Sequence, residues 1–446
     1  LNKSKTTRKM NKCFTLLGLV LSATLGAQNL VTLDEALTSA LEHNHDLYIA
    51  DVSAQQAANS ATYGNAGMLP TVTATAGANG SNQNSNLEFA TGQTQDVAGA
   101  QSLSQNASLG VSQVLFAGGR IQRSYSLLKK SQQAADLSYR QALENTVAGV
   151  WSQYMAIALL QESVAVSTKS VAISQERYDK AVLTNDLGGS NSTDLLAAEV
   201  DLNRDKVSLL DLQTQLEAAR NTFASFAGLS SRSFTVAQNT TLDQDAIGAS
   251  VEEILTAVMN HNATVRLAEI SAETAVLQQK LQQSTLFPSV SAQASYGLNQ
   301  SQAEAGFLSS QQVTGFSAGV SLQYNLFSGF QSATQRQNAA LESMKATRRL
   351  DQVRETMENT VRNAYRTFQN AQQVATLEAA NATVAFQRFE KLQERYALGQ
   401  ASSLELRQSQ LAWMAAEQGK MSAQFRATNA QIALLQLMGT IHSDQP

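Results

Sequence analysis

The chain's best candidates for metal or acid–base chemistry are its histidines, and two of its four occupy matched places. His43 and His45 stand in the stretch EHNH, and His261 recurs in a second His-Asn pair. Two residues apart on a helix do not share a face. Zinc needs three or four converging ligands, and no acidic cluster or cysteine stands beside these positions. They therefore predict no metal site; the repeated His-Asn predicts a kink or junction in a helix. The sequence shows no phosphate-binding loop, nucleophile elbow or metalloprotease helix, so it predicts neither an enzyme nor a cofactor.

The elements that position these residues start from an unusual composition. Charged residues make up 15% of the 446, against about a quarter in typical soluble domains. Ala, Ser, Gln, Asn and Thr fill the difference. Lys3, Lys5, Arg8, Lys9 and Lys12 precede an apolar run from Phe14 to Leu25, and small residues close it at Gly26-Ala27. That layout predicts a secretory signal peptide over 1–27. The lone cysteine, Cys13, precedes the apolar run, so the mature chain is expected to carry neither disulfide nor lipid anchor. Without that segment 27 basic residues face 36 acidic ones, a net charge of −9, which argues against a nucleic-acid partner. No later stretch has 18 consecutive apolar residues, so no membrane helix is expected. Membrane β-strands escape that test because they alternate.

The chain repeats itself. The stretch from Thr32, TLDEALTSALEHNHDLYIADVSAQQA, aligns without a gap on the one from Ser250, SVEEILTAVMNHNATVRLAEISAETA, at an offset of 218. The same offset carries Pro70 onto Pro288. Further on the offset becomes 211, placing LFAGG at Leu115 onto LFSGF at Leu326, Gly188 onto Gly399 and Gly228 onto Gly439. The organisation expected is a first structural repeat over 28–228, an irregular connector over 229–249, a second repeat over 250–439 and a tail over 440–446.

Each half reads as a helix (34–67; 252–286), two alternating strands, a very long helix (120–187; 331–398) and a returning helix (193–226; 404–437). Pro70 and Pro288, two of only three prolines, mark the passage from helix to strand. Proline cannot continue a helix and pushes the residue before it towards extended geometry. Gly118, Gly119 and Gly329 in the LFxG stretches mark the return. After Pro288, Val290, Ala292, Ala294, Tyr296 and Leu298 share one face and serines and Gln293 the other, an alternation that fits a membrane strand and equally an amphipathic hairpin on a soluble core. A run of 68 residues is ~100 Å of helix. On the first returning helix, Leu195, Leu202, Leu209, Leu216 and Phe223 repeat every seven residues, a lateral packing seam. Four strands cannot close a barrel with a pore, so membrane strands here would require several chains.

The signal peptide, the twofold repeat, the helix-Pro-strand junctions, LFxG and the glycine-containing tips together resemble the TolC-like outer-membrane efflux protein family over essentially the whole mature chain. The resemblance implies an α+β membrane protein, a homotrimer with one 12-stranded β-barrel in outer-membrane lipid, four strands per chain. A long periplasmic α-helical barrel continues it. It implies an outer-membrane exit duct of a tripartite efflux or type I secretion system. Such a duct works passively with a periplasmic adaptor and an inner-membrane transporter, and most of the chain lies in the periplasm. The alternative is a periplasmic or surface coiled-coil interaction protein without a pore.

The resemblance also puts a gate at the helical tips. Gly188 and Gly399 would turn the chain; Ser192-Thr193 and Ser402-Ser403 would cap the returning helices. It places Thr193, Asp194 and Tyr396 in a network of polar links, and Glu405 on an acidic ring. Three such carboxylates converging in a trimer would favour cations and raise one another's pKa. Two departures stand out: Ala401 replaces an arginine common in the network, and Gln408 occupies a second ring position.

Overall fold

A computed structural model describes residues 29–187, 192–237, 250–305 and 308–441. The expected signal peptide, Gly188 and most of the connector lie outside the described residues. The first half comprises β1 (Asn29–Val31), α1 (Leu33–His43), α2 (His45–Ser60), β2 (Thr71–Glu88), β3 (Thr94–Phe116), α3 (Arg120–Asp186) and α4 (Ser192–Ala227). The second comprises β4 (Phe234–Val236), α5 (Val251–His261), α6 (Ala263–Gln283), β5 (Ser289–Ala303), β6 (Ser310–Gln323), α7 (Gln331–Ala397) and α8 (Ser403–Met438). α3 and α7 have 67 residues each, ~100 Å of helix.

Both His-Asn pairs break a helix. α1 ends at His43 and α5 at His261, and the next asparagine caps the following helix. The Asn44 side chain accepts from Leu47 N–H and donates to Phe226 O at 3.0 Å. Asn262 likewise accepts from Thr264 and Val265 and donates to Leu437 O at 2.9 Å. Each buried asparagine thus ties a helix start to the end of a distant returning helix.

Two expectations need correction. The first helix stops at Ser60 rather than Gly67, and residues 61–69 form turns before Pro70. Gly64, Asn65 and Gly67 explain this, since glycine and asparagine are poor helix formers. The segment 229–249 is not wholly irregular either. It carries β4, which pairs in parallel with β1, Asn29 opposite Phe234 and Val31 opposite Val236. Tyr154 on α3 locks this small sheet: its hydroxyl donates to Val31 O and accepts from Ala237 N–H.

The four long strands form one antiparallel sheet in the order β2-β3-β5-β6. Pro70 and Pro288 immediately precede β2 and β5. The strands run 14 to 23 residues, longer than a membrane needs, because the Ser, Asn, Gln and Gly alternation continues past the apolar part. One face joins Thr75 to Ser108, Ser81 to Ser102, Ser291 to Ser321 and Ser295 to Ser317 through cross-strand hydroxyl bonds of 2.8–2.9 Å. The other exposes Val72, Leu109, Tyr296, Phe316, Val320 and Leu322.

Below the sheet the helices pack side by side. α3 touches α2 and α6 in the upper part and α4 and α8 in the lower part, while α7 touches α6 and α8. The layers therefore run α2-α3-α6-α7 above and α4-α3-α8-α7 below. The main core sits where α1, α5, β1 and β4 meet the long helices, around Leu37, Tyr154, Phe223, Phe234, Ile254 and Leu435. One stretch of α3 is apolar enough for a membrane helix by composition, but Val147, Val150, Tyr154 and Ile157 within α3 belong to that core.

Candidate functional site

The tip of the second hairpin is built by local chemistry. α7 ends at Ala397, and Gly399 turns the chain with φ +76°, a conformation only glycine adopts freely. Gln400 N–H donates to Arg395 O at 2.8 Å, and Arg395 returns a bond to Gln400 O at 3.2 Å. Ser402 caps α8. Its hydroxyl accepts from Glu405 N–H, while its own N–H and hydroxyl donate to the Glu405 carboxylate at 2.8 and 2.9 Å. This reciprocal capping box satisfies the first orphan donors of the helix. The Ser402 N–H, then its hydroxyl, with Arg395 nearby, hold the Glu405 carboxyl below the ordinary carboxylate value.

The structure places the other tip residues as follows. Thr193 and Asp194 are exposed in the first turn of α4. Tyr396 is half-buried and engaged by α3: Lys180 lies 4.2 Å from its ring centroid and donates to its carbonyl at 2.9 Å. Glu405 is exposed, and its described hydrogen bonds stay within its own helix turn. Gly188 is outside the described residues.

Above this tip lies a cluster that the sequence reading missed. Arg407 of α8 is bidentate on Asp205 of α4, at 2.7 and 2.9 Å, and its Nε lies 3.5 Å from Asp201. Arg177 of α3 pairs with Asp201 at 3.3 Å and donates to Ser403 Oγ at 3.0 Å. The Ser174 and Ser170 hydroxyls donate to Asp205 at 2.6 and 3.2 Å, and Gln410 Nε2 donates to Ser170 Oγ at 2.8 Å. Arg177, Asp205, Arg407, Ser170, Ser174 and Gln410 are all buried. Burial opposes ionisation of Asp205, but the bonds from Arg407, Ser174 and Ser170 and the Arg407 charge outweigh it, so its carboxyl titrates below the ordinary 3.8. An apolar cluster of Ile173, Phe389, Leu406 and Trp413 packs beside it. A signal was present: Ser170, Ser174 and Arg177 on one helix, and Ser403, Arg407 and Gln410 on another, share the spacing four then three that makes one helix face.

Long paired helices carrying an antiparallel sheet with one apolar and one hydroxyl face define a channel of the outer-membrane class. Comparison with known proteins agrees. The family model described as outer membrane efflux protein matches residues 36–229 and 254–440. The chain belongs to the outer membrane efflux protein family and is an outer-membrane exit duct for efflux. No curated protein sequence matches. The fold is similar to that of solved channels. The outer membrane protein VceC of Vibrio cholerae is 16% identical with a TM-score of 0.73, over 91% of this chain and 96% of that one. The Campylobacter jejuni CmeC outer membrane channel is 14% identical with a TM-score of 0.76, over 93% and 87%. The outer-membrane channel OprN is 20% identical with a TM-score of 0.72, over 92% and 90%.

Proposed function

We propose that three copies of this chain close head to tail into a single passive duct, a 12-stranded barrel continued by a helical tunnel. The observation that carries this is the agreement of the free edges. In the sheet the edges are β2 and β6; in the upper helical layer, α2 and α7; in the lower layer, α4 and α7. One edge always belongs to the first half and the other to the second. Contacts already made inside the chain, β3 with β5, α3 with α6 and α3 with α8, are the same contacts shifted by one half. A heterologous contact makes a ring where its rotation closes, and a barrel without free strand edges is what lipid requires. Two copies would give eight strands, whose interior side chains fill; three give twelve and leave a lumen.

Lipid meets the face of Val72, Leu109, Phe316 and Val320, and water meets the hydroxyl face. The helical end is closed at rest by a gate around Gly188, Thr193, Asp194, Tyr396, Gly399 and Glu405. Cargo arrives through a periplasmic adaptor from an inner-membrane transporter, and the transporter supplies the energy. Separating membranes and weighing the detergent-extracted protein tests the assembly. A trimer in the outer membrane is expected; a soluble monomer would overturn the reading.

A further inference from the structure

The sheet divides into a uniform wall and a projecting tip. Residues 71–116 and 289–330 hold no Lys, Arg or His and only three carboxylates, Glu88, Asp96 and Glu304. All three stand at the end far from the helices. Glu304 pins the second hairpin to the first: Gln101 N–H donates to Glu304 Oε2 and Glu304 N–H donates to Gln101 O, both at 3.0 Å. β5 pairs with β3 only as far as Ala303 opposite Ser102. The hairpin of β2 and β3 runs on beyond this point. From Asn82, the partner of Gln101, to Phe89 it adds ~23 Å of strand.

A bulge bends the projecting part. The register slips between Gln83 and Ser85, where β3 carries one extra residue. Gly99 lies there with φ +70°, and its N–H donates to Asn84 Oδ1 at 2.8 Å. Glycine bulges of this kind turn a strand at the rim of a barrel. β2 itself keeps its alternation, so Leu87 and Phe89 share the face of Thr75 and Ser81, and Val97 joins them opposite Ser85. Below the bulge that face of β2 carries Thr, Ser, Asn, Gln and Gly, and the strand is exposed on both sides. Above it the same face turns apolar and half-buried at Leu87, Phe89 and Val97, while Asn86, Glu88 and Asp96 on the other face are exposed. Both acids of the tip therefore stand on the side away from the apolar patch.

We propose that the three projecting hairpins of the ring lean over its outer mouth and meet on the axis through Leu87, Phe89 and Val97, each copy's apolar patch covered by those of the other two. This rests on the trimeric reading above, in which the hydroxyl face lines the lumen. Twelve strands ~4.8 Å apart and tilted by ~40° enclose a radius of ~12 Å. The stretch from Ser85 to Phe89 spans ~13 Å of strand, enough to reach the axis from the rim. An apolar patch there meets neither lipid nor the wall of its own sheet, so the matching hairpins are what takes it out of water. A ring of Leu, Phe and Val offers ions no charge or hydrogen bond, and such apolar constrictions exclude water and hydrated solutes. A two-stranded hairpin is only marginally stable alone. Outgoing cargo therefore parts the three tips, while a polar solute arriving from outside meets a closed apolar ring.

Labelling from outside the cell tests this. The only cysteine, Cys13, lies in the predicted signal peptide, so introduced thiols meet no competitor. Ser295→Cys puts one thiol on the hydroxyl face below the bulge, opposite Ser317. A membrane-impermeant maleimide carried on polyethylene glycol, added to intact cells, is expected to react with it slowly. Leu87→Ser, Phe89→Ser and Val97→Ser introduced together should speed the reaction at least about tenfold, because they remove the apolar barrier. Asn86→Ser, Glu88→Ser and Asp96→Ser on the opposite face should leave the rate unchanged. Separately, Phe89→Cys should link copies through a short bis-maleimide, and Glu88→Cys should not. The mass of each detergent-extracted variant shows whether it is a trimer. In a trimer, a rate that the apolar changes do not raise, or that the opposite-face changes raise as much, would overturn the inference while leaving the ring standing. So would Phe89→Cys linking no better than Glu88→Cys. A protein that is a monomer throughout would instead overturn the trimeric reading, and the inference with it.

Discussion

The stretches 403–410 and 192–199 start the two returning helices, yet they solve the same packing problem with different chemistry. At the start of α8, Arg407 and Gln410 enter a buried polar network on α3 and α4. At the start of α4, Leu196 and Glu199 face outward. The same split recurs at the sheet. A side chain at Gly118 would strike Phe287 at 2.7 Å, inside the chain, whereas one at its counterpart Gly329 meets nothing within 4 Å. Arg123 reinforces the first junction, donating to Gly118 O and to Ser284 Oγ. The lesson is that a twofold repeat need not give equivalent contacts. One half-to-half contact is made within the folding chain and can be specialised; in the proposed ring the other would form only on assembly.

Arg407→Leu should have the largest effect. It leaves Asp205 buried without its cation, at a cost of about 3 kcal/mol or more, read as a fall in the melting temperature of the chain itself. Unchanged melting would break the contrast between the two halves. Leu196→Ala at the matched position should cost about 2 kcal/mol per contact between copies in trimer dissociation, with the fold of each chain untouched. A loss of chain stability instead would mean that Leu196 packs within its own copy. Gly118→Ala should cost more than Gly329→Ala. Both meet a positive φ, worth about 1–2 kcal/mol, but only the first adds the collision with Phe287. Equal costs in denaturant unfolding would remove the difference at the junctions.

The smallest effect concerns pH. The folded pKa of Asp205 is depressed, so its contribution is complete above the ordinary 3.8 and is lost as pH falls through the depressed value. Chain melting should therefore show no Asp205-dependent change between about pH 5 and 8; Asp205→Asn should differ from the parent by a constant there and converge with it only below about pH 4. A difference that varies between pH 5 and 8 would show that the network is not held ionised.

Much of this was legible in the sequence because it depends on local rules. Proline before a strand, LFxG after one, period-two faces and 67-residue glycine-poor helices are each written in neighbouring residues. The His-Asn breaks were legible for the same reason. What was not legible depends on how distant elements are rotated against each other. β1 and β4 are three-residue strands more than 200 positions apart, too short to announce themselves. Asp201, Asp205, Arg177 and Arg407 read as solvated charges until three helices are brought together with known faces. Glu405 showed the reverse. Its exposure leaves room for a ring of carboxylates, but its described bonds are those of a helix cap.

Hydrogen exchange on the proposed trimer tests the inequality of the two halves most directly, since amide protection reports local opening. The account predicts that amides in 170–177 and 403–410 exchange at least about tenfold more slowly than those at the matched positions 381–388 and 192–199, a gap of about 1.4 kcal/mol or more in opening free energy. Equal protection of the two sets would contradict it.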